Sequence, residues 1–259
     1  MDMARVLPKD CMCKILSLTT PKDACRSSAV CLALKNSADS DETWEAFLPA
    51  ELEHLVAQSS STNLNSLAKK QLYLHLCDHP LLLAGNTMSF SLDKESGKKC
   101  YMIGARGLWI LWSHVPKYWS YASIQESRFP EVAVLHQVWW FEVKGNFNTK
   151  LLSQRTTYDV LFVFQFGSEI LGFADTSINF SLNESGIHKS EGQVALYPPI
   201  IGVKQRKDGW LEIKVGEFYT EDEEDGGSIL EFKLWDFDDY NEKSGILVEG
   251  FEFRPKSPE

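Results

Sequence analysis

Catalysis depends on particular groupings of side chains, and this sequence shows none of the common ones. There is no G-x-S-x-G elbow, no P-loop, no G-x-G-x-x-G after a strand and no H-E-x-x-H. The histidines, at positions 54, 75, 79, 114, 136 and 188, are scattered and form no ligand pair. Cys11, Cys13, Cys25 and Cys31 lack paired C-x-x-C spacing and a nearby histidine, so neither a metal nor any other cofactor is expected. The six cysteines read instead as buried thiols of a reducing compartment. Paired carboxylates for glycoside hydrolysis depend on a separation that only a structure supplies. The run Glu221-Asp222-Glu223-Glu224-Asp225 reads as a solvated acidic loop. What remains is a chain that binds, with no catalytic residue expected.

Charge limits what it binds. The formal net charge is −10, and no cluster of Lys and Arg offers a track for a phosphate backbone, so nucleic acid is excluded as a partner. From Met1 to Leu18 there is no basic stretch followed by an uninterrupted apolar one, so no signal peptide or membrane span is expected, and the address is cytoplasm or nucleus.

The elements that must position a binding surface change in texture near residue 80. Before it, capping residues and helical spacing dominate; after it, short alternating runs do. Leu7-Pro8-Lys9-Asp10 opens a helix along which Cys11, Ile15 and Leu18 recur at spacings of four and three. Thr20-Pro21-Lys22-Asp23 opens a second, predicted to run to about Leu34, with Ala24, Cys25, Val30, Cys31 and Leu34 on its apolar face. Ser40-Asp41-Glu42-Thr43 opens a third, through Trp44 and Phe47 to a stop near Pro49. Three short helices in 50 residues bury little alone, so some of their apolar side chains should serve an interface. Residues 51–85 read as a connector, polar and small over 57–66, with one helix at about Leu67–Cys77.

From residue 86 onward, alternation at 89–92, 158–166, 210–215 and 229–235 marks strands. The turns between them contain Glu95-Ser96-Gly97, Lys207-Asp208-Gly209, Asp225-Gly226-Gly227 and Lys243-Ser244-Gly245. The fold class is therefore α+β: three helices at 1–50, a connector, and an antiparallel β-sandwich, jelly-roll-like, over 86–259.

Two resemblances sharpen this reading. Leu7-Pro8, Ile15-Leu16, Pro21-Lys22-Asp23, Val30-Cys31 and Trp44 stand in the order of the F-box pattern; the departure is Leu32-Ala33-Leu34-Lys35, where F-boxes commonly carry a basic residue and a tryptophan. The second covers Gln71 to Pro255. Its carriers include Lys98-Lys99-Cys100-Tyr101-Met102, Trp109-Ile110-Leu111-Trp112, Tyr118-Trp119, Trp140-Phe141-Glu142-Val143-Lys144-Gly145, Asp208-Gly209-Trp210 and Gly250-Phe251-Glu252-Phe253. These resemble the phloem-lectin family, and the chain is similar to its F-box subgroup in plants.

The F-box resemblance implies a Skp-type adaptor as partner and, through it, a cullin, with Leu7, Pro8, Ile15, Leu16, Pro21, Val30, Cys31 and Trp44 at the interface. The lectin resemblance implies carbohydrate binding by Trp112, Trp119, Glu217 and Glu224, through indole stacking on a sugar ring and carboxylates that accept hydroxyl hydrogen bonds. The target is then a glycoprotein, N-acetylglucosamine-containing glycans included, or a protein surface. The alternative is a lectin module with no ligase role. Trp109, Trp139, Trp140, Trp210 and Trp235 are assigned to the sandwich core or its edges.

Overall fold

A computed structural model of the chain describes residues 7–59, 64–174, 176–197, 202–222 and 227–256. It divides into two compact units, Met1–Leu83 with Phe90–Lys99, and Ala84–Ser89 with Cys100–Glu259. The α+β class read from the sequence is the observed one.

Among the described residues the first unit holds six α-helices, α1 (Lys9–Ser17), α2 (Pro21–Ser27), α3 (Leu32–Ala38), α4 (Asp41–Glu45), α5 (Leu52–Gln58) and α6 (Lys69–Asp78). α2 begins where expected: the Thr20 hydroxyl accepts the Asp23 amide at 3.1 Å and Pro21 occupies the first turn. It stops seven residues earlier than expected. Ser28 donates its hydroxyl to the Cys25 carbonyl at 2.6 Å, and the amides of Ala29 and Val30 bond back only three residues. Cys31 is then extended at φ −159°, so one long predicted helix is two short ones. The segment read as a connector also carries two α-helices, because Leu52–Gln58 is helical as well as Lys69–Asp78.

Trp44 organises this unit. It is 1% exposed, its Nε1 donates to the Ala38 carbonyl at 2.5 Å, and its ring lies 5.1 Å from Tyr73 and 5.5 Å from Phe47. The Tyr73 hydroxyl donates in turn to the Asp93 carbonyl at 2.9 Å. Thus α6, placed outside the helical domain by sequence, packs into it. Gly97 closes the turn after Asp93 at φ +74°; a Cβ there would stand 3.1 Å from Pro21 Cγ, which leaves little room for any side chain. Among the described residues no helix is long and apolar enough to cross a membrane.

The strands are β1 (Leu81–Leu83), β2 (Met88–Leu92), β3 (Lys99–Gly104), β4 (Trp109–Ile110), β5 (Trp119–Ala122), β6 (Val132–Leu135), β7 (Trp140–Asn148), β8 (Thr156–Leu171), β9 (Ser177–Glu184), β10 (Ile187–Ala195), β11 (Val203–Gln205), β12 (Leu211–Thr220), β13 (Ile229–Phe237) and β14 (Ser244–Pro255). Within the second unit one sheet runs β3-β14-β8-β12-β11, with β6 also on β14 and β5 on β6; the other runs β10-β9-β13-β7-β4. All these pairings are antiparallel.

Strict alternation sorts the side chains. Along β13, Leu230, Phe232 and Leu234 are buried, while Ile229, Glu231 and Phe237 are exposed and Lys233 and Trp235 half-buried. Phe232 meets Phe251 at 4.6 Å and Phe147 stacks on Phe253 at 4.3 Å, so the core lies between the two sheets. A buried ionic cluster reinforces the first sheet. Glu252 accepts from Arg206 and Arg254, both at 2.6 Å, and Glu212 accepts from Arg254 at 2.7 and 3.0 Å.

Candidate functional site

In the helical unit the eight residues expected at the adaptor interface divide by burial. Leu16 is 4% exposed, Pro21 is buried and Trp44 is central to the core. Pro8 is exposed, capping α1, with Leu7 and Cys31 half-buried. Ile15 and Val30 are open as well, at 51% and 73%.

Two residues not foreseen join them: Leu18 at 75% and Leu32 at 73% exposure. Their signal was in the sequence. Leu18 lies three residues after Ile15, on the same side of α1, and Leu32 follows the turn that ends α2. α1 buries Met12, Cys13 and Leu16, so the stripe of Cys11, Ile15 and Leu18 is its outward face. Cys11 and Cys25 are exposed rather than buried, because both stand on outward faces of short helices. Ile15, Leu18, Val30 and Leu32 are thus the large aliphatic side chains that the helical unit leaves exposed among the described residues.

In the sandwich unit the described residues of the set expected to hold sugar, Trp112, Trp119 and Glu217, do not meet on one open surface. Trp119, at the start of β5, is 2% exposed and packs 6.3 Å from Phe141; its indole N–H has no hydrogen-bond partner among the described residues. Its ring is interior because β5 turns that side toward the core. Trp112 is half-buried with φ +59°; its ring stacks 6.1 Å from Trp140 and lies tilted 5.5 Å from Tyr118. Glu224 lies outside the described residues.

Glu217 on β12 is exposed, and its Oε2 accepts from Lys214 at 2.5 Å and Lys256 at 3.1 Å. These bonds, Lys214 first, hold its carboxyl below the usual carboxylate range. A sugar hydroxyl would compete with two lysines there. Topology also separates it from Trp112. Trp112 stacks on Trp140, the first residue of β7. Glu217 lies three residues before Thr220, whose hydroxyl donates to the Ser153 carbonyl just beyond the far end of β7. At ~3.3 Å per residue the nine residues of β7 span roughly 26 Å, of which the three-residue set-back of Glu217 from Thr220 takes back roughly 10 Å.

What gathers instead around Trp112 is aromatic. Trp140 is 42% and Phe237 46% exposed, their rings 5.8 Å apart, and Trp140 Nε1 donates to Asp239 at 2.6 Å. Lys243 secures this end from inside. Fully buried, it donates to the carbonyls of Trp139 at 3.1 Å and Asn241 at 2.9 Å and pairs with Asp236 at 2.8 Å. Of the tryptophans assigned to the core or edges, Trp210 is fully buried; Trp109, Trp139 and Trp140 are 47%, 41% and 42% exposed. The strong alternation around 140 to 147 was the available clue that Trp140 points outward.

Helices that leave aliphatic side chains in water, followed by an antiparallel sandwich with tryptophans on its surface, define a two-part protein of α+β class. Residues 6–46 match the family model of the F-box domain, and residues 98–255 match that of Phloem protein 2. Among relatives in Arabidopsis thaliana, the protein called Putative F-box protein PP2-B12 is 40% identical, over 96% of this chain and 97% of its own length. F-box protein PP2-B10 is 37% identical, over 96% and 92%. The chain belongs to the phloem protein 2 family and is an F-box protein with a lectin-like domain. A solved xylan-binding CBM22-1 domain from Paenibacillus barcinonensis Xyn10C aligns with 13% identity and a TM-score of 0.30, over 61% of this chain and 87% of that one, too slight a likeness to carry an argument.

Proposed function

We propose that this chain is the target-recognition adaptor of a Skp-cullin-F-box ubiquitin ligase: its helical unit docks on a Skp-type adaptor and its sandwich selects a glycoprotein or protein for ubiquitination. The observation that carries the reading is the outward set Ile15, Leu18, Val30 and Leu32, between 51% and 75% exposed. Covering such side chains contributes ~1.5–3 kcal/mol each when burial is complete, which suits a stable subunit contact. Leu16, Pro21 and Trp44 act from within, holding the helices that present them. No residue of the chain need perform chemistry, because tethering a target beside a ubiquitin-charged enzyme raises its effective concentration. The role belongs to the cytoplasm and nucleus.

On the sandwich, Trp112 of the expected sugar set lies beside Trp140, which in turn meets Phe237; Trp140 and Phe237 are exposed, and the cluster offers ring surface. Co-purification of the full chain with a Skp adaptor tests the ligase reading. A stoichiometric complex is expected, lost in Val30→Asp and Leu32→Asp. Failure of the folded wild-type chain to form that complex would overturn the reading and leave a lectin-like module alone.

A further inference from the structure

The outer face of the five-stranded sheet carries a groove of about 420 Å³ on which nothing so far depends. Period-two alternation and register put its side chains in two rows. Trp109 pairs across to Lys144, Lys144 to Lys233 and Lys233 to Ser181; one step along, Asn146 pairs with Glu231 and Glu231 with Asn183. Trp109, 47% exposed on the short edge strand β4, forms one wall, and the Lys144 ammonium stands 4.0 Å from its ring centroid.

Three features specify what fits. First, charge is balanced: the buried Glu142 lies 2.6 Å from Lys233 and 3.7 Å from Lys144, so two lysines face Glu142 and Glu231 with no net charge left for an anion. Second, the side chains of Asn146, Ser181, Asn183 and Glu231 make no hydrogen bond or ion pair among the described residues, which leaves amide, hydroxyl and carboxylate groups directed at the groove. Third, an indole beside such groups matches a ring with an apolar face and hydroxylated edges.

The geometry points to a binding site for a short neutral oligosaccharide in this groove, one ring against Trp109 and its hydroxyls on Asn183 and Glu231. The volume falls within the ~300–1,000 Å³ usual for small-molecule sites. The groove shares no lining residue with the cluster around Trp112 but adjoins it, the Lys233 ammonium standing 5.2 Å from the Phe237 ring centroid. It rests on the reading of the sandwich as the target-binding half.

The test is binding of the full chain to immobilised chitotriose, mannotriose, xylotriose and sulfated galactotriose, followed by titration of the strongest neutral binder. Trp109→Ala and Glu231→Ala are each expected to weaken a neutral trisaccharide by roughly tenfold or more. Tyr219→Ala, at an exposed aromatic on the other sheet, is the control and should change it less than about twofold. Circular dichroism confirms that each variant is folded. Binding that survives both groove variants but is lost in Trp112→Ala overturns this site while keeping the sandwich as a glycan-binding half. Binding confined to the sulfated sugar, or no binding at all, overturns it as well, and co-purification with the Skp adaptor then shows separately whether the ligase reading stands.

Discussion

The helical unit hides its single tryptophan and leaves Ile15, Leu18, Val30 and Leu32 in water, whereas the sandwich leaves Trp109, Trp139 and Trp140 outside. The difference matches two kinds of recognition. Aliphatic side chains offer only shape and apolar area, which suits another protein's apolar face. An exposed tryptophan beside asparagine, serine and carboxylate offers a ring surface with directional hydrogen bonds, which suits a polar, ring-shaped ligand. Trp44 is the counterpart of neither: it is the keystone that lets seven- and nine-residue helices hold aliphatic groups outward.

That contrast breaks first at Trp44. Trp44→Ala removes a fully buried ring, its bond to the Ala38 carbonyl and its contact with Tyr73, and is expected to cost ~3–5 kcal/mol. Urea unfolding followed by hydrogen exchange should show protection lost across α1 to α6 and kept in β8 and β14. Equal loss in both would mean that the two units do not fold as distinct bodies.

The sandwich has its own weak point, and it is ionic. Glu252 is buried beneath Arg206, Arg254 and Arg128, with Nη–Oε distances of 2.6, 2.6 and 3.4 Å. Burial alone would raise its carboxyl, but the three guanidiniums hold it well below the ordinary value of 4.5. Glu252→Gln leaves that positive charge under-compensated and should destabilise the sandwich by about 3 kcal/mol at neutral pH. A change under about 1 kcal/mol in its unfolding would show the cluster to be held by packing alone.

The same group sets an acid limb. A carboxylate whose folded value is depressed contributes stability that is full above its unfolded value and is lost as pH falls below it. Stability should therefore decline as pH drops below about 4.5 toward the depressed value, and Glu252→Gln should flatten that limb. Glu249 works in the opposite sense. Burial pushes its carboxyl up, despite bonds from Ser127 at 3.0 Å and the Arg128 amide at 2.9 Å, so its contribution is full at low pH and is lost as pH rises. Glu249→Gln should leave the acid limb standing. An acid limb that Glu249→Gln removes and Glu252→Gln spares would reverse the assignment, as thermal melts from pH 3 to 8 would show.

How much of this was legible beforehand follows the range of the forces involved. The start of α2 was, because Thr20, Pro21 and Asp23 act locally. Its end was not, because a serine hydroxyl bonded to the Cys25 carbonyl competes with helix propensity only weakly in pattern. The strands at 158–166 and 229–235 were legible from alternation alone. Placement of α6 against Trp44 depends on a contact 29 positions apart in sequence, which no local pattern encodes. Of the expected sugar-binding residues, Trp112 and Glu217 are surface residues in the fold, but alternation assigns a residue to one of two faces and does not tell which end of a sandwich it reaches. The groove beside Trp109 depends on five strands in register and was invisible for the same reason.

The smallest effect expected on stability is the most informative for function. Val30 is 73% exposed, in the turn between α2 and α3, and its side chain contributes little to the helical core. Val30→Asp should shift the unfolding free energy by no more than ~0.5 kcal/mol. In a subunit contact the same carboxylate would have to be stripped of water against an apolar surface, with no partner charge to compensate, which costs far more than the lost valine contact. The variant should then melt like the wild type and fail to capture the adaptor. A variant that melts normally and still binds would show that the exposed aliphatic set is not the docking face, and the contrast between the two units would lose its functional meaning.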